Sequence, residues 1–185
     1  MKLLIDIGNT RIKWAFEQDG KLSEPGELIH RGMAGDPALE FIDQLETTPE
    51  SAVAINVAGE QLGAAIAAGL FRRHACQLEF VQTTATAGDV SNGYVAMNQL
   101  GADRWAALVA AWHDCREAVC VVDAGSALTI DLVGSDGNHY GGIIVPGISL
   151  LQSALLTDTS DIAGFVSRAQ ALPDATTWYG RDTAS

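Results

Sequence analysis

Leu3-Leu4-Ile5-Asp6-Ile7-Gly8-Asn9-Thr10 is a short apolar run that ends in an Asp, a Gly and two small polar residues. A continuous apolar run is typical of a buried strand. The Gly lets the backbone approach a ligand closely, and neighbouring amides and hydroxyls can bind phosphate oxygens. A carboxylate at the strand end suits hydrated Mg²⁺, which prefers one or two carboxylates together with substrate phosphates. The stretch predicts either a phosphate-binding turn or a plain hairpin in which Asn9 supplies the turn geometry.

A second run, Val121-Val122-Asp123-Ala124-Gly125-Ser126, repeats this arrangement more than a hundred residues later. One copy alone would be weak evidence, because a strand that ends in Asp-X-Gly is often only a turn. Two copies favour two related halves that face a nucleotide. The sequence contains no G-x-x-x-x-G-K-[ST] motif, so a P-loop is excluded as the phosphate cradle.

The composition indicates a globular protein, with 48% hydrophobic and 18% charged residues in a chain of 185. This length suits one large domain or two small lobes. The net charge of −12 argues against binding of a nucleic-acid backbone, which needs clustered Lys and Arg. No apolar stretch is long enough to span a bilayer, and the N-terminus does not resemble a signal peptide. Cys76, Cys115 and Cys120 lack metal-binding spacing and are predicted to be free, buried thiols in a reducing cytoplasm.

The hydrophobic pattern predicts two units in which a meander of strands is followed by helices. Predicted strands cover residues 2–7, 11–16, 21–29, 53–57, 78–81, 118–123, 127–133 and 139–145. Predicted helices cover residues 36–46, 60–73, 102–114 and 148–156, and residues 83–94 are predicted to form a loop or lid. Trp105, Leu108, Val109 and Trp112 are spaced to form one buried helix face.

Two short motifs precede and open the third predicted helix: Asn92-Gly93-Tyr94 and Gly101-Ala102-Asp103-Arg104. A helix N-terminus favours anionic groups through its free amides and its dipole. Asp103 is placed to act as a general base, and Arg104 to hold a substrate carboxylate or phosphate. The simpler interpretation, that Asp103 caps the helix and Arg104 is exposed, is the more common outcome for such a pattern.

The last two motifs are Asp123 to Asp131 and Gly141 to Gly147. In the first, Asp123 is available to a cation and Ser126 to phosphates, whereas Asp131 is predicted to be a solvated strand residue or a local hydrogen-bond partner. In the second, the glycines permit close approach to adenosine or, as we favour, to a neighbouring strand. His30, His74, His113 and His139 lack a metal-binding context and are predicted to be surface or capping residues.

Together these motifs resemble those of the type III pantothenate kinases. That family carries D-x-G-N-T-x-x-K, N-x-Y, G-x-D-R, D-x-G-T-x-x-T-x-D and G-G-x-I-x-P-G in this order, and the resemblance covers essentially the whole chain. Each motif alone is modest, but the ordered set is specific. Family members have Thr where this chain has Ser126.

The resemblance implies an α/β, duplicated actin-like (ribonuclease H-like) fold, as in the acetate and sugar kinase, heat-shock chaperone and actin superfamily. Two lobes, expected at residues 1–116 and 117–185, would enclose an ATP cleft. The family continues beyond the motif that ends at Thr183, so we expect the second lobe to be incomplete at Ser185.

The resemblance also implies a function and a set of site residues. The function is ATP-dependent phosphorylation of pantothenate to 4′-phosphopantothenate, the first step of coenzyme A biosynthesis, in a cytoplasmic homodimer that binds neither nucleic acid nor membrane. Mg²⁺ and a monovalent cation, K⁺ or NH₄⁺, would be required. The implied ATP-binding residues are Asp6, Ile7, Gly8, Asn9, Thr10, Arg11, Ile12, Lys13 and Ser126. The implied pantothenate-binding residues are Tyr94, Gly101, Ala102, Asp103, Arg104 and Thr183, with Asp103 as the catalytic base and Asp123 at the monovalent cation.

Two alternatives remain open from the sequence. One is a non-enzymatic regulatory or accessory factor on the same fold, which would have to act through a partner because the chain is acidic. The other is a kinase of a different small hydroxy acid.

Overall fold

The computed structural model describes residues 1–158, which form ten strands and four α-helices. The strands are β1 (Lys2–Ile7), β2 (Arg11–Gln18), β3 (Lys21–Ile29), β4 (Ser51–Asn56), β5 (Leu78–Phe80), β6 (Thr86–Ala87), β7 (Val90–Ser91), β8 (Val119–Ala124), β9 (Ala127–Val133) and β10 (His139–Pro146). The helices are α1 (Pro37–Asp43), α2 (Glu60–His74), α3 (Ala102–Cys115) and α4 (Ile148–Asp158). A short 3₁₀ turn covers Met97–Gln99.

Five strands form one mixed sheet in the order β3-β2-β1-β4-β5. The β1–β2 and β2–β3 pairs are antiparallel, as expected for a meander, and β4 and β5 add in parallel through the crossover helices α1 and α2. The sheet therefore positions the turn between β1 and β2 beside the end of β4, since Ile7 pairs with both Ile12 and Asn56.

A first core lies on one face of this sheet. It consists of alternate residues of the strands together with the inner faces of α1 and α2: Leu3, Ile5, Ile7, Ile12, Phe16, Leu28, Ala38, Phe41, Ile42, Leu45, Ala52, Ala54, Ile66, Leu70 and Cys76. Gly69 of α2 lies so close to α1 that a Cβ there would be 2.9 Å from Ile42 Cγ1. The alternation of buried and less buried residues along β1 and β4 fits a sheet packed on one face.

The first helix begins where the sequence predicts and ends earlier. Asp36 caps it by accepting hydrogen bonds from the Ala38 and Leu39 amides, and Pro37 takes the first helical position. The sequence predicts a helix to residue 46, but α1 ends at Asp43. The amides that follow donate hydrogen bonds to carbonyls three residues earlier. Leu45 N–H, for example, donates to Ile42 O in a tighter turn.

A second core surrounds α3. It contains Val90, Leu100, Trp105, Leu108, Trp112 and Val133, with Tyr94 and Val109 packed against it. The predicted buried face of this helix is confirmed. The sequence predicts a loop or lid over residues 83–94. Part of this segment is instead regular, because β6 and β7 pair there as a small antiparallel ribbon.

The remaining three strands form a second sheet in the order β10-β9-β8. By compactness the described residues divide into Met1–Val122 with Thr129–Ile143, and Asp123–Leu128 with the residues from Ile144 onward. The lobe boundary between residues 116 and 117 stays a prediction. The α/β class and the order of elements predicted from the sequence are confirmed.

Within residues 1–158, none of the helices combines the length and the apolarity that crossing a bilayer requires.

Candidate functional site

The turn between β1 and β2 is held by its own backbone and by the chain after β3. Gly8 N–H donates to Arg11 O at 3.0 Å, and the amides of His30 and Arg31 both donate to Thr10 O. The His30 ring is 2.7 Å from Gly8 O through Nε2, which must donate because a carbonyl oxygen only accepts. The predicted phosphate-binding turn is therefore a braced hairpin loop, and His30 is one of the residues that brace it.

Asp6 and Lys13 lie directly opposite each other on β1 and β2. Cross-strand partners share one face of a sheet, so both side chains belong to the face opposite the first core. A cavity of about 690 Å³ lies on this face and is lined by Asp6, Lys13 and Val81, among others. The structure therefore brings one predicted carboxylate and one predicted cation to the same cavity.

The start of α3 positions Asp103 and Gly101. Asp103 is half-buried in the first turn, and its Oδ1 accepts a hydrogen bond of 2.8 Å from the Arg104 amide. A Cβ at Gly101 would collide with that carboxylate oxygen, which explains why the residue before the helix is a glycine. Neither Gly101 nor Gly59, which precedes α2, offers a side chain to cap its helix.

These two helix starts line a second cavity, of about 730 Å³. Its walls include Gly59, Val81, Gly101 and Ala102. Because no side chain caps either helix, amide groups of their first turns remain available to an anionic ligand. Val81 lines both this cavity and the one that contains Asp6 and Lys13. The predicted nucleotide side and the predicted substrate side therefore meet at Val81.

Arg104 is the centre of a buried polar cluster, the Arg104 network, formed by Tyr94, Arg104, Asp131 and His139. The relative exposures of Arg104, Asp131 and His139 are 6%, 2% and 3%. Asp131 receives two hydrogen bonds from Arg104, Nε to Oδ2 at 2.8 Å and Nη2 to Oδ1 at 2.6 Å. Hydrogen bonding to Asp131 raises the pKa of Arg104 above its ordinary value, which keeps the guanidinium charged despite burial.

The two rings of the network both contact this ion pair. His139 Nε2 is 2.9 Å from Asp131 Oδ1, and Arg104 Nη2 donates to the Tyr94 hydroxyl at 3.4 Å. The Tyr94 and His139 rings stack with centroids 5.8 Å apart. The segment before α3, α3 itself, β9 and β10 thus converge on one buried ion pair.

Two glycines of the sequence motifs permit this convergence. A Cβ at Gly93 would collide with the carbonyl oxygen of His139, and one at Gly142 would collide with the Asp131 carboxylate. The glycine of Asn92-Gly93-Tyr94 therefore lets the Tyr94 segment reach β10. Gly142 allows β10 to lie close to β9, the neighbouring strand. This is the structural use of the glycines that the sequence analysis favours over a contact with adenosine.

The end of β8 carries Asp123 and the turn after it carries Ser126, and both residues are exposed. Gly147, just before α4, donates its amide hydrogen to Ser126 O at 3.2 Å. A Cβ at Gly147 would collide with the carbonyl of Gly125, so only a glycine allows this contact. This second predicted phosphate loop is therefore braced by backbone contacts, as the first one is.

The structure corrects several sequence interpretations. Arg104 is buried rather than exposed, and Asp131 is a buried partner of a distant residue rather than a solvated or local one. His139 is buried and not a surface residue, and Cys115 and Cys120 are exposed, so only Cys76 is a buried free thiol. Asp131, His139 and His30 were not selected from the sequence as site residues. The T-x-D spacing was the one signal that could have indicated Asp131.

Thr183, the remaining predicted substrate residue, lies outside the described residues.

Comparison with known proteins places the motifs in one family. The model of the type III pantothenate kinase family matches residues 2–185. A type III pantothenate kinase of Halorhodospira halophila is 35% identical, and the match covers 97% of this chain and 73% of that protein. One from Aromatoleum aromaticum is 41% identical, with 88% of this chain and 65% of the relative covered. The chain thus spans roughly two thirds to three quarters of the length of these relatives.

Solved structures are similar at low identity. A Ppx/GppA family member from Aquifex aeolicus has a TM-score of 0.43 and 20% identity, with 90% of this chain and 58% of that one covered. The ethanolamine utilization protein EutJ from Carboxydothermus hydrogenoformans has a TM-score of 0.47 and 14% identity, with 90% and 61% covered. No property of the site follows from similarities at this level.

The match along nearly the whole chain agrees with the ordered motifs, and it covers the turn at Asp6 as well as the helix start at Asp103. The chain therefore belongs to the type III pantothenate kinase family, the phosphotransferases that phosphorylate pantothenate in coenzyme A biosynthesis.

Proposed function

We propose that this chain transfers the γ-phosphoryl group of ATP to the primary hydroxyl of pantothenate, with Asp103 as the general base. The observation that carries the proposal is the pair of cavities that meet at Val81. One contains Asp6 and Lys13, and the other is formed by the starts of α2 and α3. A kinase needs a phosphate site and an acceptor site side by side, and this arrangement supplies neighbouring cavities for both.

The β1–β2 turn is the proposed nucleotide side. The residues from Asp6 to Lys13 would hold the phosphates through turn amides, the Asn9 and Thr10 side chains and the charge of Lys13. Asp6 fits a divalent ion, because it is a half-buried carboxylate at a strand end beside this turn. When bound, that ion neutralises negative charge on the transferring phosphoryl group.

The start of α3 is the proposed substrate side. Pantothenate carries a carboxylate, and the uncapped starts of α2 and α3 favour an anion. Tyr94, Gly101, Ala102 and Arg104 would bind it. Asp103 would take the proton of the pantothenate hydroxyl. The hydroxyl oxygen attacks the γ-phosphorus at the same time, and the bond between the γ-phosphorus and ADP breaks. The contact between the Arg104 amide and Oδ1 fixes one side of the carboxylate and leaves Oδ2 to act as the base.

The test of this role is Asp103→Asn, which keeps the size of the side chain but removes the proton acceptor. We expect turnover to fall by ~10²–10⁴-fold, the usual contribution of a positioned base, with little change in ATP binding. Asp114→Asn, an exposed carboxylate at the other end of α3, is the matched control and should behave like the parent protein. If Asp103→Asn keeps more than about a tenth of the turnover, Asp103 is a helix residue only and the mechanism is wrong.

The proposal includes a monovalent cation at Asp123 and a contact between Ser126 and ATP. Asp123 is an exposed carboxylate at the end of β8, so it is accessible to such an ion. We expect turnover in potassium or ammonium salts, little in sodium, and no difference between the salts in Asp123→Ala. Equal turnover of the parent protein in all three salts would remove the cation from the proposal.

The proposal also includes a cytoplasmic homodimer in which Thr183 contacts pantothenate. Sedimentation would test the dimer, and Thr183→Ala would test the contact through the KM for pantothenate. A coupled assay across small hydroxy acids tests the substrate, because turnover with another acid but not with pantothenate would favour a different acceptor. No turnover with any of them would favour the regulatory alternative.

A further inference from the structure

Asp131 and His139 have no part in the mechanism described so far, although both are buried beside Arg104. We propose that they are positioning residues that fix the Arg104 guanidinium so that its Nη1 edge meets the carboxylate of pantothenate. This inference rests on the proposed function, since it assigns the substrate group that Arg104 recognises.

The hydrogen bonds of Arg104 leave one of its nitrogens unused. A guanidinium has five N–H groups in a rigid plane. Nε donates to Asp131, and Nη2 donates to Asp131 and to the Tyr94 hydroxyl. These three hydrogen bonds occupy two of the three nitrogens. Among the described residues Nη1 makes no hydrogen bond, so it is the guanidinium nitrogen left for a ligand.

Two parallel hydrogen bonds to one carboxylate fix the plane of the guanidinium as well as its position. With Nε and Nη2 directed at Asp131, the Nη1 edge has a single orientation. An arginine without this partner would have to be ordered by the substrate itself, which weakens binding.

A carboxylate only accepts, so Nε2 of His139 carries the hydrogen that it donates to Asp131 Oδ1. Its other ring nitrogen, Nδ1, is fully buried and has no partner among the described residues. Leaving a buried polar atom unpaired is unfavourable, and an apolar residue of similar size would avoid it. The presence of a histidine at this buried position is explained if its Nε2 contact orients Asp131.

The experiment compares His139→Gln with His139→Asn. The amide nitrogen of Gln reaches close to the position of Nε2 and can still donate to Asp131, whereas the shorter Asn cannot. Arg104 still supplies two hydrogen bonds to Asp131 in both, so both variants should fold. We expect His139→Asn to raise the KM for pantothenate about tenfold, and His139→Gln to stay within about threefold of the parent protein. The KM for ATP should not change in either variant.

The matched substrate is pantothenol, in which an alcohol replaces the carboxylate. If the network acts through Arg104 on that carboxylate, His139→Asn should change kcat/KM for pantothenol less than twofold. A merely structural role would lower activity on both substrates alike. Equal losses on both substrates, or equal KM values for pantothenate in His139→Asn and His139→Gln, would overturn the proposal.

A second readout separates this inference from the proposed function. Hydrogen exchange of the Arg104 Nε–H, assigned by its loss in Arg104→Lys, should be slow in the parent protein and in His139→Gln and at least tenfold faster in His139→Asn. Equal exchange in the two His139 variants would refute the positioning role even if pantothenate is phosphorylated. If the parent protein neither binds nor phosphorylates pantothenate, the proposed function fails and the carboxylate assignment fails with it. Differential exchange would then show that His139 orders Arg104.

Discussion

The first core and the second core differ in the kinds of side chain that they bury. Beneath the five-stranded sheet, the buried side chains are apolar residues of β1 to β4, of α1 and α2 and of the segments that follow these helices. Around α3, the apolar cluster adjoins Arg104, Asp131 and His139, which are the buried polar or charged residues of the described part of the chain. Apolar packing needs only volume and pattern, whereas a buried ion pair needs every partner in place. Under the function proposed above, the first core acts as a scaffold and the second core also holds Arg104 for the substrate.

The largest effect that separates the two cores is expected at Asp131. Asp131→Leu leaves the Arg104 charge buried without its partner, and we expect the free energy of unfolding to fall by about 3–5 kcal/mol. Denaturant unfolding measures this loss. The control is the double variant Arg104→Met/Asp131→Leu, which replaces the whole pair by apolar groups and should recover most of the stability. A double variant as unstable as the single one would show that the pair, rather than its unpaired charge, supplies the stability.

The matching test of the first core is Leu70→Ala. Leu70 is fully buried between α2 and the sheet, so we expect a loss of about 2–5 kcal/mol from transfer and cavity terms. Leu70→Met keeps the volume and should cost less than about 1.5 kcal/mol. Because this core is a scaffold, the KM for pantothenate measured on folded protein should not change in either variant. A raised KM in Leu70→Ala would remove the distinction between the two cores.

A smaller effect is expected where α1 and α2 touch. In Gly69→Ala the added Cβ would lie 2.9 Å from Ile42 Cγ1, so one helix must shift, at a cost of about 1–3 kcal/mol. The better helix propensity of Ala offsets up to about 1 kcal/mol of this. Ala68→Gly, at an exposed position of the same helix, measures the propensity term alone. A Gly69→Ala variant more stable than the parent protein would mean that the helix contact is loose.

The first core could be predicted from the sequence because it obeys local patterns. Apolar runs, the Asp36-Pro37 helix start and the turn residues each act within a few positions, and the element order follows from them. The end of α1 could not be predicted, since it depends on which carbonyls the last amides reach. The β6–β7 ribbon is only two residues per strand, too short for any periodicity to appear.

The second core was predicted only in its apolar part. Helical spacing indicates Trp105, Leu108 and Trp112, but the same spacing says nothing about where Arg104 points. Its burial depends on Asp131, which lies 27 residues away. The burial of His139 depends in turn on the close approach of Gly93 to its backbone. Such partners are set by tertiary packing, so a single-sequence pattern such as T-x-D can mark Asp131 but cannot show which residue it meets.

The smallest expected effect concerns His74, at the end of α2. Burial, and secondarily the charge of Arg73, lower the pKa of His74 below its ordinary value of 6.5. Its Nε2 is buried and has no partner among the described residues, which also disfavours a charged ring. The unfolded chain therefore binds a proton at a pH where the folded chain does not. The free energy of unfolding should fall as the pH drops below about 6.5 and should lose this dependence as the pH rises above it.

His74→Gln removes this titration and isolates its contribution. We expect the unfolding free energy of His74→Gln to decrease less than that of the parent protein between about pH 7 and pH 5.5. Unfolding measured in denaturant at each pH gives the difference directly, with the other histidines cancelling in the subtraction. If His74→Gln and the parent protein lose stability in parallel, the acid sensitivity belongs elsewhere.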